Sequence, residues 1–214
     1  MQILHRTLGS IQEYLRDIKE SSAADRYRPG LCPLCQARCC LLAHGFYYRT
    51  LVQIDFDDWI PVRRYLCRLC RRTVSLLPDF VLPYLRNSTV IISLFLVSRL
   101  LAGGSSRQAA QAAFQPGMPY QRGQFWVRRF RKQAAGLCAA LVSSTAVVTA
   151  TDFVTRALQM LEATGWIAAH RFLFGELRMH LLGWPRFLIP SGVPITIPSL
   201  APAPKDKHTA FAST

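Results

Sequence analysis

Six of the seven cysteines in this 214-residue chain lie between positions 32 and 70. Four of them form two CxxC pairs, Cys32 with Cys35 and Cys67 with Cys70, and 31 residues separate the pairs. The two thiolates of such a pair can turn towards one metal ion, and two pairs complete the tetrahedral four-sulfur shell of a structural zinc site. The spacing therefore predicts that these four cysteines bind zinc.

Other uses of the thiols compete with zinc. An iron–sulfur cluster takes the same four ligands, so the spacing leaves it open. Reduced cysteines without a metal also stay open, whereas a thioredoxin-like redox site would need one CxxC in a βαβ context that this sequence lacks. Cys39, Cys40 and His44 follow the first pair closely and are alternative ligands. We expect packing roles for them, because an unliganded cysteine commonly behaves as a small buried apolar residue.

Arginines crowd around the second CxxC pair. Five of them fall within the stretch VRRYLCRLCRR, which no acidic residue interrupts. They are Arg63, Arg64, Arg68, Arg71 and Arg72. Arginine offers a rigid fork of donors that suits phosphate oxygens. We therefore expect this cluster to contact the phosphate backbone of a nucleic acid, an interaction that weakens steeply with salt.

The charge of the whole chain also favours a polyanionic partner. Its 26 lysines and arginines against 12 acidic residues give a formal net charge of +14, and 22 of the cations are arginine. Residues 1–132 carry +12 of this excess. Half of the residues are apolar and only 18% are charged, which excludes wholesale disorder. The expected partner of the first part of the chain is double-stranded DNA.

Short elements must position the cysteines. Residues 46–54 and 59–66 are rich in aromatic and β-branched residues, which predicts a hairpin that returns the chain to the first CxxC pair. Residues 73–77 predict a third strand. Before the first CxxC pair, apolar residues at helical spacing predict an amphipathic helix. These residues are Leu4, Leu8, Ile11, Leu15 and Ile18. So small a sheet has little core, and metal affinity is expected to supply much of its folding free energy.

Beyond position 87 the pattern becomes helical. Ser88 can cap one helix, and Ser105 with Gln108 forms a capping box that opens a second helix over 105–114. A Pro-Gly turn then leads into a helix that runs from Tyr120 through the Ala-rich region 134–141, and the first part of this helix is 120–132. The last two helices have the outline of a helix-turn-helix unit, whose second helix enters the DNA major groove.

On that second helix Trp126, Val127 and Phe130 share one face and are expected to pack inward. The polar residues expected to contact DNA from this unit are Arg107, Gln121, Arg122, Arg128, Arg129 and Lys132. The turn is longer than the three or four residues usual in such units. An ordinary amphipathic surface helix remains the alternative interpretation.

The order of these motifs resembles the zinc-ribbon plus helix-turn-helix region of bacterial insertion-sequence transposases and related standalone proteins. The residues that carry it are CPLC, HGFYYR, IPVRRYLCRLCRRTVSLLPDFVLPY and the helical unit, from about 32 to 132. The resemblance implies that Cys32, Cys35, Cys67 and Cys70 bind zinc and that the helical unit contacts DNA. Gln36 and Arg71 stand where a glycine commonly follows each CxxC pair of such a ribbon.

The sequence as a whole predicts an α+β fold: a small zinc-ribbon β-hairpin domain, then a mainly α-helical helix-turn-helix region and C-terminal helices. The predicted segments are an N-terminal amphipathic helix (1–27), the ribbon (28–86), the helix-turn-helix region (87–140), a helical association region (141–190) and a Pro-rich flexible tail (191–214). The C-terminal helices are the expected site of homo-oligomer formation. Histidines 170 and 180 are expected to pack or to lie on the surface of a helix.

The predicted function is zinc-dependent binding of double-stranded DNA in a transposition accessory or regulatory protein related to mobile elements. A transposase would need acidic residues on an RNase-H-like sheet to hold two magnesium ions. After Lys132 the acids are few, and none falls in a strand-like segment: Asp152, Glu162, Glu176 and Asp206. The chain is therefore not expected to be an enzyme. Two alternatives stay open: a DNA-binding subunit of a transposase or nuclease that needs a partner, and an RNA- or protein-binding zinc ribbon.

The expected location is the cytoplasm. The N-terminus lacks the apolar core and cleavage site of a secretion signal, and reduced cysteines are expected in that compartment. The uncharged stretch 133–151 approaches the length of a membrane span but is rich in Ala, Ser and Thr. A helix buried in a small bundle is the expected form of that stretch.

Overall fold

The computed structural model describes residues 1–7, 10–19, 27–143 and 150–183. Within them the chain forms four strands and six α-helices, which confirms the predicted mixture of helix and sheet. The strands are β1 (Gln2–His5), β2 (Leu41–Gln53), β3 (Phe56–Cys67) and β4 (Thr73–Pro78). The helices are α1 (Ile11–Lys19), α2 (Thr89–Leu96), α3 (Ser106–Ala112), α4 (Tyr120–Leu141), α5 (Phe153–Thr164) and α6 (Trp166–Arg171). The predicted tail, 191–214, lies outside the described residues.

The four strands form one sheet in the order β1-β4-β3-β2. The predicted hairpin is confirmed as the long antiparallel pair β2–β3, which turns between Gln53 and Phe56. The predicted third strand is β4, which pairs antiparallel with β3. Strand β2 lies at one edge of the sheet. Because the start of β2 pairs with the end of β3, the hairpin brings the two CxxC pairs together.

The N-terminal segment differs from the prediction of one amphipathic helix. Leu4 lies in β1 and pairs with Leu77 in a parallel register, while α1 begins only at Ile11. Leu8 lies outside the described residues. The helix start is set by a reciprocal cap: Glu13 accepts from the Ser10 amide, and Ser10 accepts from the Glu13 amide. The segment 1–27 therefore includes a strand of the ribbon sheet as well as a helix.

Each face of the sheet has its own small core. On one face α1 packs Ile11 and Tyr14 against Leu51, Ile60 and other buried residues of the strands. On the other face the buried residues surround the cysteines. They are Cys32, Cys40, Leu41, Tyr65, Cys67, Val74 and Leu76. The thiols are thus part of the packing that closes this face.

The helical region has a larger and continuous core. The indole of Trp126 packs edge-on against Phe95, with ring centroids 5.3 Å apart, and Val127 and Phe130 are buried beside it. The predicted inward face of α4 is confirmed. Gly123 lets α4 approach α2 closely, because a Cβ at this position would lie 2.5 Å from the Phe95 ring.

The predicted helix caps are confirmed. The Ser88 hydroxyl accepts from the Ile91 amide at 3.2 Å at the start of α2. Ser105 and Gln108 form the capping box that opens α3. Two π-helical turns, Val97–Leu101 and Phe172–Glu176, extend α2 and α6. Within the described residues, no helix combines the length and the apolar character that crossing a membrane requires.

Two buried histidines join the helices to the segment that follows β4. The Nε2 of His170 hydrogen-bonds the Val81 carbonyl at 3.3 Å, and the Nε2 of His180 hydrogen-bonds the Pro83 carbonyl at 3.1 Å. Burial lowers the pKa of His170 to about 3 and that of His180 to about 4. Both rings are therefore neutral at neutral pH, and both act as packing residues.

Candidate metal centre and basic surfaces

The two CxxC pairs form matching turns. In each turn the amide of the first cysteine donates to the carbonyl five residues later, and the amide four residues later donates back to the cysteine carbonyl. All four of these bonds measure between 2.8 and 3.0 Å. The residues that close the turns, Gln36 and Arg71, have φ values of +58° and +57°. This is the left-handed conformation that glycine adopts at least cost, so the two departures from the usual ribbon sequence keep its backbone geometry.

The hairpin brings the two turns together into one cluster of sulfur atoms. The Sγ atoms of Cys32, Cys35, Cys40 and Cys67 all lie within 4.8 Å of one another and can hold a metal ion. The Sγ of Cys70 lies 3.8 Å from that of Cys32. Five thiols therefore meet where β2 begins and β3 ends.

Cys40 is the member of this cluster that sequence reasoning assigned to packing. It is buried, its sulfur lies 3.3 Å from the sulfur of Cys67, and its thiol donates to the Ala37 carbonyl at 3.2 Å. Its own carbonyl accepts from the Arg68 amide of the second turn at 2.9 Å. No local pattern marked it as a member, because its contact with Cys67 depends on the pairing of β2, which begins at the next residue, with the strand that ends at Cys67. Its neighbours Cys39 and His44 are exposed and lie outside the cluster.

The thiols differ in acidity. The Cys70 amide, which donates to the Cys67 sulfur at 3.5 Å, lowers the pKa of Cys67 to about 6 in spite of burial. Burial, together with the hydrogen bond to Cys67, raises the pKa of Cys40 to about 11. Cys67 therefore reaches the thiolate form, in which cysteine binds metals, more readily than Cys40 does.

The five arginines of the second CxxC region lie beside this cluster. Arg68, Arg71 and Arg72 are exposed on the turn, and Arg63 and Arg64 are half-buried on β3. Within the described part of the chain, none of the five forms an ion pair, whereas Arg86 pairs with Asp57 and Arg171 pairs with Asp79. The positive charge of these five arginines is thus not neutralised by the carboxylates of the described residues.

Helices α3 and α4 present a second group of cations. The Gln124 amide lies 3.5 Å from the Ser106 hydroxyl and links the two helices. Most of the polar side chains predicted to contact DNA reach the surface: Arg107, Gln121, Arg128 and Lys132 are exposed, and Arg122 is half-buried. Arg131 of α4 is exposed as well.

Arg129 is placed differently from the other predicted contacts. Its Nε donates to the Leu182 carbonyl at 3.1 Å, and its Nη2 donates to the Gly183 carbonyl. These bonds tie the guanidinium to the last described residues of the helical region. The partners lie more than fifty residues further along the chain, so the local pattern of α4 could not reveal them.

Comparison with known proteins adds one partial match. Residues 32–112 match the model of a protein family described as a domain of unknown function (DUF6431). The match spans both CxxC pairs, the hairpin, β4 and helices α2 and α3, which is less than half of the chain. Neither the curated proteins nor the solved structures include one that matches this chain. The chain is therefore similar, over its ribbon and first helices, to a family of unknown function.

Proposed function

We propose that the sulfur cluster binds one zinc ion through Cys32, Cys35, Cys67 and Cys70. With zinc–sulfur bonds of about 2.3 Å, the sulfurs of a tetrahedral site lie about 3.8 Å apart. The separations of 3.8 Å between Cys32 and Cys70 and 3.6 Å between Cys35 and Cys67 fit this shell. The equivalence of the two turns also supports it, because each turn then contributes both of its cysteines.

Cys40 is assigned a supporting role in this site. Its sulfur lies 3.3 Å from that of Cys67, closer than two ligands of one tetrahedral zinc ion. The single proton of Cys40 is then shared between the Ala37 carbonyl and the Cys67 sulfur, both of which lie within hydrogen-bond distance. Such contacts around the ligands tune a metal site without occupying it.

Matched single variants separate the two candidates for the fourth ligand. Cys70→Ala is expected to abolish stoichiometric zinc, whereas Cys40→Ala is expected to retain it with weaker affinity. The measurement is the zinc-to-protein ratio of the purified chain, with Cys39→Ala as the control because Cys39 is exposed outside the cluster. Zinc that survives Cys70→Ala but not Cys40→Ala would assign the fourth ligand to Cys40.

We further propose that the chain binds double-stranded DNA and acts in a mobile-element system as a binding component. The observation that carries this proposal is the group of arginines around the sulfur cluster without ion-pair partners in the described residues. A metal bound by the cysteines would hold in place the backbone that carries the exposed Arg68, Arg71 and Arg72. The exposed cations of α4 would supply a second contact with DNA. The order of the motifs along the chain, which resembles that of transposase DNA-binding regions, also supports the proposal.

The DNA proposal predicts that two separate substitutions weaken duplex binding. Arg71→Gln with Arg72→Gln, and Arg128→Gln with Lys132→Gln, should each lower affinity. Each should also reduce the slope of log K against log salt, by about 0.9 for every phosphate that the variant no longer neutralises. Fluorescence anisotropy with a labelled duplex measures both quantities. Arg86→Gln is the matched control, because Arg86 is already paired with Asp57 at 3.2 Å.

Two results would contradict this proposal. The first is an unchanged affinity and salt slope in both double variants. The second is displacement of the labelled duplex by structured RNA at concentrations where unlabelled duplex has no effect, which would make RNA the partner.

A further inference from the structure

Three large aromatic side chains lie exposed on one face of the hairpin. Phe46, Tyr48 and Trp59 are 39%, 64% and 58% exposed. In the antiparallel register Tyr48 pairs with Pro61, and Thr50 pairs with Trp59. Opposed residues and alternate residues along a strand share a face of a sheet, so all three rings lie on the same side.

A β-bulge sets the position of Phe46. The pairing of β2 with β3 shifts between Ala43 and Phe46, and Gly45 takes a φ of +73°. The shift places Phe46 directly opposite Arg63, whose guanidinium lies 4.6 Å from the centroid of the Phe46 ring. The Nε of Arg63 is buried and has no hydrogen-bond partner among the described residues. A bulge beside a site commonly re-aims side chains in this way.

Folding does not account for this exposure. Further along the same face, towards β4, Tyr65, Val74 and Leu76 are buried in the core that contains the cysteines. The outer half of the hairpin carries rings of similar size without covering them. Adjacent exposed aromatic side chains are a costly surface for a protein and mark a binding site.

We propose that this face binds unpaired bases of single-stranded DNA by stacking them on Trp59, Tyr48 and Phe46. Aromatic rings are sequence-tolerant platforms because every base has a π-face. Alternate residues of a strand lie about 7 Å apart, so Phe46 and Tyr48 offer two successive platforms. The inference goes beyond the duplex binding proposed above, because bases paired in a duplex cannot reach these rings.

The charges around the face give the bound strand a direction. Three acids lie near the hairpin tip: Asp57 is paired with Arg86, Asp58 accepts from the Trp59 amide at 2.7 Å, and Asp55 lies in the turn. The cations lie at the opposite end, from Arg63 to the exposed arginines of the second CxxC turn. The phosphates of a strand stacked on Trp59 would therefore run towards Arg63. The same positive charge disfavours a second copy of this chain as the occupant.

The test compares single-stranded and duplex probes on the full chain. The double substitution Trp59→Ala with Tyr48→Ala is expected to weaken binding of labelled oligo-dT by about 100-fold, because each stacking platform contributes about tenfold or more. Affinity for a labelled duplex should stay within experimental error. Phe153→Ala is the matched control, because Phe153 is 55% exposed on a helix that is not part of the hairpin.

A milder variant keeps the test independent of folding. Trp59→Phe preserves a ring and should retain affinity for oligo-dT while it removes the part of the tryptophan fluorescence quenching that stacking on Trp59 produces. Trp126 and Trp166 are buried and serve as an internal reference signal.

The other possible results of these binding measurements either support or overturn the stacking proposal. Equal loss of oligo-dT and duplex binding in the double variant, or no loss of either, would overturn the stacking proposal. Tighter binding of oligo-U than of oligo-dT would assign the face to RNA and overturn it for DNA. Loss of a homodimer in the double variant, seen by sedimentation, would make the face a self-association surface. Loss of oligo-dT binding in a chain that never binds duplex would support the stacking proposal and refute only the duplex proposal.

Discussion

The ribbon sheet and the helical region are stabilised by different means. Among the described residues, the helical core is one continuous cluster of 24 buried residues. The described part of the sheet has two separate clusters, of 8 residues on one face and 7 on the other, and three of those 7 are cysteines. Clusters of that size bury little apolar surface, so the sheet needs a further source of folding free energy whereas the helices do not.

The two regions also differ in the side chains that they expose. The ribbon concentrates thiols, unpaired arginines and exposed aromatic rings in a small structure. The helical region buries its aromatic side chains and leaves a few cations on the surface of α4. A metal allows a short chain to hold a dense surface of charged and aromatic groups without a large core behind it.

Metal removal should give the largest effect and should act on the ribbon alone. Structural zinc contributes on the order of 10 kcal/mol to the folding of small zinc domains, more than the sheet clusters can replace. Hydrogen exchange of the full chain after chelation should show loss of protection in β2, β3 and β4 and retained protection in α4. Addition of zinc should restore the protection of the three strands. Unchanged exchange in the strands would show that the sheet does not need the metal.

A core substitution in the helical region should destabilise the helices and leave the metal site of the ribbon intact. Trp126→Ala removes a side chain that is 1% exposed and should lower the free energy of unfolding by about 3–5 kcal/mol. The zinc-to-protein ratio should stay the same. Chemical denaturation measures the first quantity and elemental analysis the second, with Phe153→Ala as an exposed aromatic control. Loss of zinc together with stability would show that the two regions fold as one unit.

Mild acid should weaken the helical region through its two buried histidines. Their pKa values of about 3 and about 4 lie below the ordinary value of about 6.5, so their contribution to stability is complete above that pH and falls as the pH drops below it. The two histidines together should lower the free energy of unfolding by about 3 kcal/mol as the pH falls from 6.5 to 5. Hydrogen exchange in α2 and α4 isolates this effect from protonation of the thiolates.

A variant with both histidines replaced by glutamine is the control for the acid effect. Protection in α2 and α4 should then depend much less on pH over the same range. An equal pH dependence in this variant and in the native chain would exclude His170 and His180 as its cause.

Relief of backbone strain should give the smallest effect. Gln36 closes the first CxxC turn with a φ of +58°, a conformation that costs a residue other than glycine about 1 kcal/mol. Gln36→Gly should therefore stabilise the ribbon by up to about 1 kcal/mol, measured as the free energy of unfolding of the zinc-loaded chain. Gln36→Ala, which keeps the Cβ, should give no gain. Destabilisation by glycine would show that the Gln36 side chain contributes more than its strain costs.

Local signals of the sequence predicted much of the fold. The hairpin, the third strand, the caps at Ser88 and Ser105 and the inward face of α4 each follow from residues close together in the chain. The proximity of the two CxxC pairs followed from the hairpin between them. Features of this kind need no knowledge of distant partners, and for that reason they could be derived from periodicity and spacing.

The features that differ from the sequence predictions all involve partners distant in sequence. β1 forms because it pairs with β4 across more than seventy residues, a contact that overrides the helical spacing of Leu4. The guanidinium of Arg129 bonds carbonyls at the far end of the helical region. Cys40 enters the sulfur cluster because β2, which begins at the next residue, pairs with the strand that ends at Cys67. None of these partners leaves a mark on the local pattern.

The central claim is that the ribbon is a zinc structure, and the metal content of the purified native chain tests it most directly. Elemental mass spectrometry with matched protein quantitation should find one zinc ion per chain and no iron, and the sheet should be folded in the same sample. A folded sheet in a chain without zinc would contradict the account.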